Sequence, residues 1–520
     1  MKEHETQSQA AKWIERAIIG SLFLFALFAP HSIAITQTAW LLGMLFWVVR
    51  FAFYPPPSTY RTPLDYPLLT FFILSGISCL FSYEPMISVG KLRAASLFTI
   101  VYLVAQNTKH LRMARLLAIT LVASCLVNVA FSLTEEVLGK GVKVIGVAAE
   151  SPLARAMSTP RTTARALPIQ SGDTVFEVDG KRINTAEELA TALAAGSGPA
   201  TAKVKIFRLE WTPTLEVPRG QLLPGATAES QLGISAWKRG RDWRATGFYD
   251  HYTTYAEVLQ LIASLGLGMF LVCPVKRSRV GIALLLAVVG LLMALGLTLT
   301  RASWAGFFLS LMLMLVLSVS RKTIAFVVVC AIPLVIAGAL FLQAKRNVTF
   351  VDQQDLSTTW RETVWREGFH LLMSKPRHLA FGVGMDSLKA HWREWGLFEG
   401  GKIPMGHMHS DFLEIALERG VPALVAWLWL LGAYAWMLWS LLRRLRVGIN
   451  ENSKFYWLDR GIVLGALGGL LGFVASGVVH YNWGDSEVVM IFYFIMGMTL
   501  VIDRCVAKGS EEKRVQPTIL

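Results

Sequence analysis

The chain has 520 residues, of which 54% are hydrophobic and only 17% charged, and its mean hydropathy is +0.47. This balance excludes an ordinary soluble domain and a disordered chain, and points to a polytopic membrane protein. The formal net charge of +14 does not argue for nucleic acid, because Lys and Arg gather in short connections between apolar runs, where they set orientation in a bilayer.

Crossing the hydrocarbon core takes about 20 mostly apolar residues. In chain order, suitable runs fall near 14–33, 35–54, 66–83, 86–105, 113–133, 252–273, 278–298, 302–319, 323–343, 410–442, 459–479 and 486–503, twelve in all. The first, near Ile18 to Ile33, has a polar leader and no small-residue cleavage site, so it reads as a retained helix. Lys91 and Arg93 interrupt the fourth. The run 410–442 is too long for one upright helix, and Gly420-Val421-Pro422 marks a break in it. The 17 Trp suit headgroup-level positions.

With the N-terminus in the cytoplasm, every inner connection is basic: Arg50 and Arg61; Lys109, Arg112 and Arg115; Lys276, Arg277 and Arg279; Arg321 and Lys322; Arg443 to Lys454; then Arg504 to Arg514. The short outer links at 31–35, 83–86 and 479–486 carry no Lys or Arg. The positive-inside rule therefore puts both termini inside and the two long polar segments, 134–250 and 344–409, on the outer face.

The first of these segments has local signals of a folded α+β insert. Ser171-Gly172-Asp173 opens a turn, Val175 to Val178 is a strand, and Asp179-Gly180 is a hairpin signal. Thr185 is placed to cap a helix through Glu187 to Ala194, with Glu188 in the capping-box position, and Ala202 to Arg208 alternates as a strand. The core at about 141–210 resembles the C-terminal half of a bacterial PDZ domain. Val142 to Ala149 is the candidate peptide-binding strand, and Ser158 to Arg165 stands out as an unusual insertion. The resemblance implies capture of a peptide carboxylate by backbone N–H groups, hence a protein or peptide partner. A generic insert without a ligand is the other reading.

The second polar segment carries an abundance of Arg, Trp and His. Arg361 lies in TTWRETVWREGFHLL, where Trp360, Val364, Trp365 and Phe369 form one side of a helix and Arg361 and Arg366 its flanks. Guanidinium suits a multi-donor grip on phosphate oxygens; a helix touching lipid headgroups is the plain alternative. Arg301, in TLTRASWAGFF between the seventh and eighth runs, either binds something or snorkels to the interface. His409, just before the tenth run, is the side chain best suited to take a proton from a hydroxyl near neutral pH. His407 is close by, but two His without a third ligand are a weak metal signal. Glu418 orients or caps a neighbour. His251, Arg366 and Arg393 are weaker candidates for sugar or phosphate contacts, and Asp485 either faces the same space or is solvated. The five cysteines sit in or beside apolar runs with no CxxC pair, and no dinucleotide, phosphate-loop or zinc-protease motif occurs.

Thr300-Arg301-Ala302-Ser303-Trp304, then Arg361 followed by Pro376 and Gly382-Val383-Gly384, then His409-Ser410-Asp411-Phe412-Leu413 with Glu418-Arg419-Gly420, resemble the motifs of the O-antigen ligase and O-antigen polymerase superfamily of bacterial membrane glycosyltransferases. Gly247-Phe248-Tyr249-Asp250-His251 resembles a family segment as well. The resemblance covers roughly 245–503, and the first five helices by topology alone. It implies a lipid-diphosphate-linked glycan donor, periplasmic transfer without a metal or other cofactor, Arg301 and Arg361 on the diphosphate, and His409 as base. Ser410 stands where the family commonly has Asn, and the PDZ-like insert is not part of the usual pattern.

The expected fold is mainly α, a polytopic membrane helix bundle of about 12 transmembrane helices with a small α+β extramembrane insert and a helical periplasmic loop. Its expected parts are helices 1–5 in 1–133, the insert 134–250, helices 6–9 in 251–343, a catalytic loop 344–409, helices 10–12 in 410–505 and a cytoplasmic tail 506–520. The expected activity is inverting transfer of a glycan from an undecaprenyl-diphosphate carrier to a hydroxyl of lipid A core, of another glycan or of a protein, in the bacterial inner membrane and among its lipids. A transporter and a PDZ-bearing scaffold are the rival classes; the chain shows no internal repeat of the kind transporters carry.

Overall fold

The computed structural model describes residues 8–158, 166–194, 199–208, 212–346, 356–403, 405–446 and 455–515. Most of the Ser158 to Arg165 insertion, residues 347–355 of the second polar segment, Lys454 and residues 516–520 of the tail lie outside the described residues.

A helix stands at each of the twelve apolar runs, from Gln9–Phe28 to Ser486–Val515. Nine helices among the described residues are long and apolar enough to cross a bilayer, and Asp65–Leu80 is shorter. The fourth run spans Pro85–Asn107, with a 3-10 turn at Ser96–Phe98 just after Lys91 and Arg93. The long tenth run divides at Gly420 into Asp411–Arg419 and Val421–Arg446. Gly420 has φ 87°, and a Cβ there would meet the carbonyl oxygen of Ala380 at 2.5 Å, so only glycine permits this corner.

The chain forms two compact units, one of residues 1–130, 246–342 and 348–520, the other of 131–245 and 343–347. In the helical unit, Tyr252–Val272 and Tyr456–Gly477 are enclosed helices, with buried residues all round. Their contact is made of glycine: a Cβ on Gly465 would lie 2.7 Å from the Cα of Leu265, and one on Gly461 would lie 2.6 Å from that of Met269. Gly306 of Arg301–Ser318 faces Gly472 in the same way. Lipid tails are as apolar as Leu, so such helices gain from close backbone approach rather than from bulk.

The second unit is an antiparallel sheet with two short helices. Its strands are β1 (Val142–Val147), β2 (Met157–Ser158), β3 (Thr174–Val178), β4 (Lys181–Arg182), β5 (Thr201–Phe207), β6 (Thr214–Pro218) and β7 (Ile234–Arg239). The order is β2-β6-β5-β3-β1-β7, with β4 on β3, and every pairing is antiparallel. The expected hairpin forms at Asp179-Gly180, with φ values of 51° and 79°. Thr185 caps Ala186–Leu193 by accepting the Glu188 N–H, while the Glu188 carboxylate takes the N–H of Asn184 rather than that of the cap itself. Ala186, Leu189, Ala190 and Leu193 fill one stripe against Val142, Val175, Val204 and Leu215.

One expectation here is overturned. β1 is not an open peptide-binding strand: β7 pairs with it from Val142↔Arg239 to Val147↔Ile234, and its other edge is taken by β3 and by the N–H of Val144 donating to Asp173. The unit extends past residue 210 because β6 and β7 complete the sheet. Sequence periodicity marks strands but cannot say which strand closes which edge.

Candidate active site

The candidate residues of the second polar segment are gathered by backbone as much as by side chains. The Gly382-Val383-Gly384 turn runs against the end of helix Asp411–Arg419: Val383 donates its N–H to Leu417 at 2.8 Å, and Gly384 to Glu418 at 2.9 Å. A Cβ on Gly382 would overlap the backbone of Glu418, which explains a glycine there. Serines from the early helices hold the same turn: the Ser78 hydroxyl donates to the Glu418 carbonyl at 2.8 Å, and the Ser88 hydroxyl to that of Met385 at 2.9 Å. Glu418 does orient its neighbours, accepting the Asp386 N–H at 2.8 Å and the Tyr481 hydroxyl at 3.2 Å.

His409 sits in the stretch that enters this helix, with φ 50°, a left-handed conformation that is uncommon for a residue with a Cβ and clusters at functional sites. Its N–H donates to Nδ1 of His407 at 3.1 Å, and the two rings lie 4.3 Å apart. Trp365 pins the stretch by donating its indole N–H to the Met408 carbonyl at 2.8 Å. Ser410, in the place of the usual Asn, is buried and makes no side-chain cap. Instead Asp411 docks on the link 479–486: its N–H donates to the His480 carbonyl at 3.0 Å, and its Oδ1 accepts the Trp483 N–H at 2.9 Å.

Arg361 comes from helix Leu356–Met373, half-buried, and donates from Nε to the Val479 carbonyl at 3.1 Å. The helix turns Val364, Leu371 and Leu372 inward and leaves Phe369 exposed. Burial, then the charges of Arg361, His480 and His251, lowers the His409 imidazole to about 4. Burial, then His409, His251, Lys389 and Arg361, lowers His407 to about 3. Both rings are therefore neutral at pH 7, each with a lone pair. Asp411, Glu414 and Glu418 move the other way, burial raising their carboxyls.

His251 caps Tyr252–Val272 through Nδ1, which accepts the Thr253 N–H at 3.2 Å, and its charge acts on both histidines. Arg301 is the first residue of Arg301–Ser318, half-buried. Arg366 is exposed, and Arg393 is exposed with its guanidinium over the Trp392 ring at 4.9 Å. Asp485 is not a solvated loop residue: it lines a cavity and accepts the Thr254 hydroxyl at 2.6 Å. Sequence reasoning missed Tyr481, Arg419 and the buried pair of His480 Nδ1 and Glu257 Oε1 at 2.9 Å. Glu257 within the apolar run 252–273 was the available signal, since an acid in a span is retained for a reason.

Helices of spanning length, joined to a helix–loop–helix that collects histidine, arginine and buried carboxyls, fit a multi-pass membrane protein. Residues 286–428 match the family described as O-antigen ligase, a stretch that includes Arg301, Arg361, His409 and Glu418. Over that stretch the chain is similar to membrane glycosyltransferases of the O-antigen ligase and polymerase type. No curated protein matches the chain.

Proposed function

We propose that the protein transfers a glycan from an undecaprenyl-diphosphate carrier to an acceptor hydroxyl on the periplasmic face of the bacterial inner membrane, with both termini cytoplasmic. The observation that carries this reading is a neutral histidine, His409, under the charge of Arg361. In the reaction, the acceptor oxygen attacks the anomeric carbon and its proton passes to His409. The bond from that carbon to the diphosphate oxygen breaks with inversion, and the diphosphate leaves against Arg361 and Arg301. Guanidinium groups stabilise the departing charge where it develops, so no metal is required by this scheme. A bound diphosphate also offsets the Arg361 charge, which strengthens His409 as a base once the donor is in place.

A lipid A core acceptor makes the enzyme an O-antigen ligase; a growing glycan makes it a polymerase, and a protein hydroxyl an oligosaccharyltransferase. For the insert, the closed β1 and the terminal position of β7 favour β7 as the strand where a peptide would add, by backbone pairing along its outer edge.

The test is donor turnover in proteoliposomes loaded with glycan-linked undecaprenyl diphosphate. His409→Ala, Arg361→Ala and Arg301→Ala are expected to lose about 10²-fold or more of transfer, with EDTA without effect. Turnover at the unmutated rate in His409→Ala and Arg361→Ala sinks the assignment and favours a transporter or scaffold.

A further inference from the structure

Next to His407, on the side of Tyr481, lies a cavity of about 520 Å³. Arg93 and Lys91 reach it from the fourth apolar helix, Lys389 from the polar loop, and Arg419 from the last turn of Asp411–Arg419. Arg419 is 7% exposed, and its Nε and Nη1 are buried without a hydrogen-bond partner among the described residues. Its one ring contact is with Phe71, 5.2 Å from guanidinium carbon to ring centre. A buried guanidinium with unfilled donors is costly unless a ligand fills them.

Arg93 makes the same point from the membrane side. It stands eight residues past Pro85, roughly 12 Å along the helix, within an apolar span, and no ion pair to it occurs among the described residues. A cation at such depth is retained where it meets an anion or reaches water. The acids facing the cavity are Asp386, Glu414, Glu418 and Asp485. Asp386 is occupied by Lys91 at 3.1 Å and Lys389 at 2.7 Å. Burial raises the carboxyls of Glu414, Glu418 and Asp485 toward their neutral forms. Arg419 acts through charge on Glu418 and Asp411, yet neither it nor Arg93 makes an ion pair among the described residues, and two Arg419 nitrogens are without a hydrogen-bond partner there. Phe71, Leu97, Val489 and Tyr493 supply apolar wall beside them.

We infer that this cavity is a second anion site, in which Arg419 and Arg93 bind a phosphate group of a membrane lipid while its apolar part lies along Phe71, Leu97 and Val489. Guanidinium presents paired donors to phosphate oxygens, and the apolar wall excludes a free sugar as occupant. The inference rests on the lipid-linked transfer reading and adds a second phosphate-binding place to it, built partly from residues outside the family match. The phosphate has two possible sources: the diphosphate of the carrier, or the phosphates of an acceptor glycolipid.

The experiment uses the full chain in phosphatidylcholine nanodiscs, with undecaprenyl diphosphate and a bisphosphorylated lipid A core as separate probes, read by native mass spectrometry. Arg93→Gln and Arg419→Gln are each expected to weaken one probe about tenfold or more and to leave the other within about twofold, and Arg93→Lys is expected to restore part of the loss. The probe that weakens identifies the source. Arg361→Gln, in parallel, is expected to weaken the carrier. If it does not, while the cavity variants still act, the diphosphate assignment at Arg361 fails and the second site stands. Arg93 is exposed, so its variant decides the question even where Arg419→Gln does not fold. Unchanged binding of both probes in folded Arg93→Gln overturns the inference.

Discussion

The insert and the polar cluster of the helical unit treat charge in opposite ways. In the insert, charged groups are matched by ion-pair partners: Arg208 donates to the buried Asp173 at 2.8 Å, and Arg219 pairs with Asp179, which is 41% exposed. The side chains packed around its helix Ala186–Leu193 are apolar. In the helical unit, Glu257, Asp411, Glu418, Arg419 and His480 are all buried, and Glu257 Oε2, Asp411 Oδ2 and Arg419 Nε lack partners among the described residues. Stability alone does not select buried charge, since an apolar residue of the same shape does as well or better. The difference teaches where chemistry resides: one unit is built for its own stability, the other keeps expensive groups where they shift each other's protonation.

Three measurements break or sharpen this contrast. The largest effect is expected for Glu257→Ala, which leaves His480 buried without its carboxylate partner at 2.9 Å. A loss of about 3 kcal/mol is expected, read as a fall in Tm in nanodiscs; an unchanged Tm would show that the buried pair is not structural.

Second in size is a pH effect. His409 acts as a base only when neutral, and its free-enzyme value is lowered to about 4. As pH falls from 7, kcat/KM for the donor should hold level and then drop about tenfold per unit below about pH 4. The limb in kcat should lie higher, because bound diphosphate offsets Arg361. The same lowering affects stability: between about pH 6.5 and pH 4 the unfolded imidazole takes up a proton that the folded one refuses, so stability is lost as pH falls. The raised carboxyls of Glu414 and Glu418 act in the opposite sense, so the histidine part is the difference between the intact chain and His409→Gln. A kcat/KM limb near pH 6.5 would mean that neither burial nor Arg361 acts on His409.

The smallest effect is expected for Arg219→Ala, below about 1 kcal/mol, because Asp179 is solvated. A fall in the insert's Tm equivalent to several kcal/mol would remove the contrast.

Much of this protein follows from sequence alone, for a physical reason. A bilayer demands long apolar helices with satisfied backbones, so all twelve runs could be read by length, and even the break at Gly420 shows in Gly-Val-Pro. Strand, hairpin and cap signals in 174–207 are likewise local, since turn chemistry and period-2 alternation act within a few residues. Arg361 and His409 could be singled out because guanidinium and imidazole suit phosphate and proton chemistry and the motifs around them resemble a family. What only the tertiary structure decided is what depends on distant partners. The Gly382 turn meets Glu418 through backbone hydrogen bonds, β7 closes β1 from almost a hundred residues away, and His480 finds Glu257 across the bundle. Arg419 stood inside a motif as an unremarked residue. Its burial, its unfilled donors and the cavity it shares with Arg93 are set by which faces the helices turn toward each other, which no local pattern in the chain records.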